Sequence, residues 1–235
     1  MVPKTATPEG RLKYRPQLVL IDLDGTLVDS VPDLAMCVDQ MMDRLAMPRR
    51  GEAAVRNWIG NGVERLVRRA LINARDGEPD EALFRRAYPI YMELYQANVC
   101  VASRPFPGVV AGLDYLQAQG CKLGCVTNKP ALFTEPLLEQ LGLRHYFEIV
   151  VSGDTLPQKK PHPAPLLHAA QHFGIAPAAA LMVGDSMHDV EAARAAGFQV
   201  VGVTYGYNHG HDIREAHPDA VIDALSQLRD LFEAG

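Results

Sequence analysis

The stretch Leu18-Val19-Leu20-Ile21-Asp22-Leu23-Asp24-Gly25-Thr26 decides the fold. Four apolar residues run without polar alternation, the pattern of a strand buried on both faces, as in a parallel sheet. Two aspartates one residue apart follow at once, and Gly25-Thr26 turns the chain. Working outward, the same pattern recurs at Leu123 to Thr127, Ile149 to Gly153, Leu181 to Asp185, Val200 to Thr204 and Ala220 to Asp223. Each run ends in a small or polar residue, and helix-like stretches lie between several of them. Pro163 and Pro165 suit the first turn before LLHAAQHF, which Gly174 closes, and DVEAARAA closes at Gly197. Alternating units of this kind predict an open, doubly wound α/β fold with a Rossmann-like parallel sheet.

The interval between the first two runs breaks the rhythm, because about a hundred residues stand where one crossover helix suffices. Ser30-Val31-Pro32-Asp33 reads as a capped helix start, and LAMCVDQMMDRLAM continues at helical spacing to Pro48. EAAVRNWIG, NGVERLVRRALINA and EALFRRAYPIYMELY extend the pattern, with Gly60 and Gly62 as punctuation. The expected organisation is a loose tail over residues 1–16, an α/β core over 17–30 and 105–235, and an inserted helical cap over 31–104. Hinges are expected near Leu27 to Ser30 and Ser103 to Gly108.

With 48% hydrophobic and 22% charged residues the chain has enough apolar material for a sizeable core. A formal net charge of -5 argues against nucleic acid or an anionic membrane as the main partner, and for a small molecule. The insert carries 11 Arg and no Lys against 10 acidic residues, so the acidity lies in the core. The longest apolar run, Ala178 to Val183, is far short of a membrane span. Without the apolar region of a signal peptide, the expected location is cytoplasmic, with the four cysteines reduced. Cys121 and Cys125 are expected to share a core face.

In open α/β sheets ligands bind beyond the carboxyl ends of the strands. Asp22 and Asp24 there repel each other unless a cation relieves them. Carboxylate and carbonyl oxygens are hard ligands that suit Mg2+. Gly184-Asp185-Ser186 and Asp189 bring further acidic groups to the same mouth. Thr127-Asn128 offers donors without charge, and the lysines of QKKPHPAP are the nearest cations. A nucleophile, a second carboxylate, a metal, neutral donors and a lysine are the parts phosphoryl transfer requires.

At these residues the chain resembles the haloacid dehalogenase superfamily, whose four motifs match Asp22-Leu23-Asp24-Gly25-Thr26, Thr127, Lys160 before Pro161, and Gly184-Asp185-Ser186 with Asp189. The resemblance implies that Asp22 attacks phosphorus and that Asp24 protonates the leaving oxygen and then activates water. It also implies Mg2+ on the Asp22 side chain, the Asp24 main-chain carbonyl and Asp185. Thr127 and Asn128 would hold phosphoryl oxygens, and Lys160, or its neighbour Lys159, would pair with the phosphoryl group and Asp22. Asp189 would orient these groups from behind, beside Ser186. Asp24, absent from the halide-removing members, points to phosphate chemistry.

The insert looks like the helical cap of the superfamily's first cap class. Gly60-Asn61-Gly62 precedes a helix start, where backbone N–H groups can receive a small carboxylate, with Arg65 assisting. With VTNKP, KKPHP and TYGYN, this loop resembles one branch of the superfamily, and that resemblance implies hydrolysis of 2-phosphoglycolate. A phosphatase of another small sugar or amino-sugar phosphate, a phosphomutase and a non-catalytic binding protein are the alternatives. Trp58 reads as packing, His168 and His172 stand four apart on a helix without a third ligand for zinc, His162 has no assigned role, and His209 and His211 are expected in solvent.

Overall fold

The computed structural model describes residues 9–233, so of the stretch expected as a loose tail, residues 1–8 lie outside the described residues. The rest of that stretch is partly ordered, because β1 (Glu9–Gly10) pairs antiparallel with Ala220 and Val221 at the sheet edge. Six parallel strands follow the apolar runs: β2 (Leu18–Ile21), β5 (Lys122–Val126), β6 (Ile149–Val151), β7 (Ala180–Gly184), β8 (Gln199–Val203) and β9 (Ala220–Ile222). The sheet order is β1-β9-β8-β7-β2-β5-β6, which places β2 at the centre.

Both faces of β2 are covered, as its continuous apolar sequence requires. Leu18 and Leu20 belong to a cluster with Leu166 and Ala169 of α7 (Ala164–Phe173) and Val190 and Ala193 of α8 (Met187–Ala196). Val19 and Ile21 point the other way, into a cluster holding Leu113 of α5 (Val109–Ala118), Phe133 of α6 (Ala131–Gln140) and Leu228 of α9 (Leu228–Glu233). Cys121 and Cys125 are free and buried in that cluster. Pairing register sets the site: Ile21 lies opposite Cys125 on one side and Val183 on the other. Residues just past β2, β5 and β7 therefore emerge together at one edge.

Between β3 (Val28–Asp29) and β4 (Arg104–Pro105) the chain forms α1 (Val31–Arg44), α2 (Glu52–Arg56), α3 (Val63–Ile72) and α4 (Glu81–Ala97). β3 and β4 pair antiparallel, so the chain leaves and re-enters through a two-stranded ribbon. The capping pattern expected at Ser30 does not form; its hydroxyl donates instead to Asp24 Oδ1 at 2.5 Å. On α3 the buried Val63, Leu66, Val67, Ala70 and Leu71 follow helical spacing. Trp58 is buried in the same core, as packing predicts. No helix among the described residues is long and apolar enough to cross a membrane.

Candidate active site

Asp22 continues β2, its amide donating to Val183 O at 3.0 Å, and this fixes its carboxylate beside the end of β7. Lys160, in the loop after β6, reaches in so that Nζ lies 2.8 Å from Asp22 Oδ1, 2.7 Å from Asp189 Oδ1 and 2.7 Å from Val126 O. An ammonium has three N–H donors, and these partners take all three. Lys160 is therefore the lysine of the site. Lys159 is exposed at the rim. Burial pulls the Lys160 ammonium down, but Asp189 and Asp22 outweigh it and hold its pKa above the ordinary range. Asp189, fully buried, also accepts from the Ser186 amide at 3.1 Å and hydroxyl at 2.7 Å, capping α8. One carboxylate thus starts a helix and anchors the lysine.

Asp185 accepts from Thr26 Oγ1 at 3.1 Å and from the Tyr207 amide at 2.7 Å, so the TYGYN loop closes behind it. A Cβ on Gly25 would meet Asp185 Oδ2 at 2.4 Å, and one on Gly206 would meet Asp185 Cβ at 2.1 Å. Two glycines form the cradle in which this carboxylate sits. Burial, with Asp189 adding repulsion, pushes its carboxyl up to about 6. Burial also pushes Asp22 well above the carboxylate range, opposed by Lys160. Oxygens of Asp22, Asp185 and Asp189 lie within 4.8 Å of one another. Two buried, mutually repelling carboxylates, Asp185 in its glycine cradle and Asp22 beside it, are a donor set that a hard divalent cation satisfies. Asp189, already bonded to Lys160 and Ser186, stands behind them.

Asp24 is held differently. Lys129 Nζ lies 2.9 and 3.0 Å from its two carboxylate oxygens, and the Tyr95 ring of α4 covers that ammonium at 4.9 Å. Sequence reasoning assigned the cations of the site to QKKPHPAP and passed over Lys129. Its signal was its place two residues after Thr127, at the end of a sheet strand. Thr127 Oγ1 accepts from the Lys129 amide at 3.1 Å, which leaves its proton free to donate into the cavity.

Two expectations are corrected and one is narrowed. The Asn128 side chain has no hydrogen left for a phosphoryl oxygen, which leaves that contact to its main-chain amide: Nδ2 donates to Gly60 O and Lys160 O, each at 3.0 Å, and Oδ1 accepts from the Lys160 amide at 3.0 Å. It is a strut between three loops. Arg65 does not line the cavity; it pairs with Glu78 and donates to Gly77 O in the loop that follows α3. His209 is buried rather than solvated, with Nδ1 3.1 Å from Asn57 O and its ring against Gly60. Burial depresses its pKa to about 4. His211 is exposed as expected.

The loop Gly60-Asn61-Gly62 faces the site, with Gly62 as N-cap of α3. Gly60 and Gly62 line the cavity, while the Asn61 side chain accepts from Arg69 at 2.9 Å and lies 2.7 Å from His188 Nε2. His188, in the first turn of α8, is a cavity residue the sequence reading left out; only its place beside Asp189 signalled it. The cavity, about 40 Å³, is roofed by Leu34, Ile59, Val63 and Leu66, with Asp22, Asp24, Thr127, Lys129 and Lys160 below.

Residues 19–203 match the haloacid dehalogenase-like hydrolase family. A phosphoglycolate phosphatase of Nitrosococcus oceani is 61% identical over 93% of this chain and 97% of its own length. One from Thiobacillus denitrificans is 50% identical over 89% and 92%. A crystal structure of a predicted phosphoglycolate phosphatase from Haemophilus somnus superposes with a TM-score of 0.87, at 38% identity, over 94% of this chain and 99% of that one.

Proposed function

The chain belongs to the haloacid dehalogenase-like hydrolases and is a phosphoric monoester hydrolase, and we propose that its substrate is 2-phosphoglycolate, hydrolysed to glycolate and phosphate. One observation carries the choice. The cavity is small, and its roof is four aliphatic side chains, Leu34, Ile59, Val63 and Leu66. Sugar hydroxyls brought against those four side chains would find no partner on them, each at a cost of about 1–3 kcal/mol. A two-carbon ester has none to bury. The named relatives, phosphoglycolate phosphatases over nearly their full length, support the same reading.

In this reading residues 31–104 are a cap over a core formed by 17–30 and 105–235. Asp22 Oδ attacks phosphorus as the bond to the glycolate oxygen breaks, Asp24 delivers a proton to that oxygen, and an acyl phosphate on Asp22 results. Asp24 then takes a proton from water as the water's oxygen attacks that phosphorus, releasing phosphate and restoring the Asp22 carboxylate. Thr127 donates to a phosphoryl oxygen. Lys160, with its donors committed, acts on the phosphoryl group by charge and keeps Asp22 aligned. Asp22, the Asp24 main-chain carbonyl and Asp185 would hold Mg2+, which when bound offsets the carboxylate charge and polarises the phosphoryl group.

Phosphate release from a panel of monoesters tests this. We expect kcat/KM for 2-phosphoglycolate to exceed that for hexose and amino-sugar phosphates by about 100-fold or more. A better sugar phosphate would overturn the substrate assignment.

A further inference from the structure

We propose that Lys129 reads the substrate's carboxylate. This rests on 2-phosphoglycolate as the substrate. That ester carries a negative charge beneath an aliphatic roof, and a carboxylate leaves water for such a place only where a cation meets it. Among the described residues two cations line the cavity, Lys160 and Lys129. Lys160 spends its three donors on Asp22, Asp189 and Val126 O. Lys129 spends two on Asp24, and its charge, on a side chain 2% exposed, faces the Tyr95 ring otherwise.

Connectivity makes the match. The group that protonates the leaving oxygen is Asp24, so that oxygen comes to rest against it. The carboxylate carbon of 2-phosphoglycolate is two bonds from the same oxygen and is carried to the ammonium that Asp24 holds. Other cations near the cap loop are placed badly for this. Arg69 is bound to Trp58 O at 2.6 Å and to Asn61. Arg65 is paired with Glu78. Lys159 is exposed, its Nζ 3.6 Å from where a Cβ on Gly62 would lie. Lys129 is thus the specificity-determining residue of the cavity.

The test compares kcat/KM for 2-phosphoglycolate with that for ethyl phosphate, which has the same two carbons and no carboxylate. In Lys129→Met the ratio should collapse by about 100-fold or more, while Lys129→Arg, which keeps the charge, stays within about tenfold of wild type. Lys159→Met should leave the ratio within about threefold, as a rim charge does. If Lys129→Met does not fold, Lys129→Gln makes the same comparison. A ratio that is large in the wild type and preserved without the Lys129 charge, or lost with Lys159, overturns this inference alone. A wild type with no preference for the carboxylated ester overturns the substrate assignment and this inference together.

Discussion

Ser103 Oγ donates to Asp33 Oδ2 at 2.6 Å, and the amides of Val101, Ala102 and Ser103 donate to the same fully buried carboxylate at 2.9, 2.8 and 2.8 Å. Asp33 lies in the first turn of α1 and the other three residues lead into β4. One carboxylate therefore ties the start of the helical segment to its end. Replacing Asp33 by Asn puts an NH2 donor among N–H donors, and we expect a loss of about 2–3 kcal/mol in urea unfolding. A loss under about 0.5 kcal/mol, ordinary for a surface change, would remove Asp33 from this role.

Asp22 and Lys160 should separate activity from stability. Asp22→Asn removes the nucleophile and also a carboxylate that burial disfavours, so turnover should fall to background while the thermal midpoint holds or rises. Lys160→Met strands Asp22 and Asp189 in the interior, with an expected loss of about 3–5 kcal/mol. Phosphate release and thermal unfolding on the same samples check both. Residual wild-type turnover in Asp22→Asn would refute the covalent step.

The cradle around Asp185 can be tested without touching a carboxylate. Gly206→Ala forces the Asp185 side chain to move, since the new Cβ would lie 2.1 Å from Asp185 Cβ. The Mg2+ concentration giving half-maximal activity should rise at least ~10-fold, as when support for a metal ligand is lost. An unchanged Mg2+ midpoint would show that Asp185 does not hold the cation.

Proton and metal should compete at this carboxylate. The carboxyl of Asp185 keeps its proton up to about pH 6 in the fold, against 3.8 as the ordinary value. A raised folded pKa favours the native state at low pH, and that advantage is lost as pH rises from 3.8 through 6. The metal-free protein therefore bears the cost of an ionised Asp185 at neutral pH, and Mg2+ relieves it. We expect the Mg2+-induced rise in thermal midpoint to grow between pH 5 and about 7, and excess chelator to stop turnover. His209, depressed to about 4 by burial, works in the other direction: its neutral form favours the fold above pH 6.5, and this is lost as pH falls toward 4. Comparing each pH with and without Mg2+ cancels that contribution. A metal shift that shrinks as pH rises would contradict the account.

How much of this was legible follows from what each residue depends on. The strands could be read because Leu18 to Ile21 and Leu181 to Val183 are apolar without a break, which only a doubly covered sheet explains. Asp22, Thr127 and Asp185 could be placed together because strand ends in a parallel sheet share an edge. Orientation could not be read in the same way. Arg65 was lost to Glu78, thirteen residues on, and Asn128 to the backbone of Gly60 and Lys160. His209 looked like a loop histidine until the helical segment packed on it. Lys129 was quoted inside a motif, yet only the fold sets it against Asp24 and Tyr95. Composition and periodicity report which face a residue takes, not which neighbour claims it.

The β3/β4 ribbon gives the inserted helices an unusual standing within the chain. Val28 pairs with Pro105 and Asp29 with Arg104, so the two ends of a segment that includes four helices are hydrogen-bonded neighbours. To the sheet, that entire segment is a hairpin loop, and the entropy of closing a loop grows only slowly with its length. Its helices can be lengthened, shortened or exchanged with little strain on the strands that carry Asp22, Thr127 and Asp185. The catalytic edge and the apolar roof above it are thereby separately mutable parts of one polypeptide.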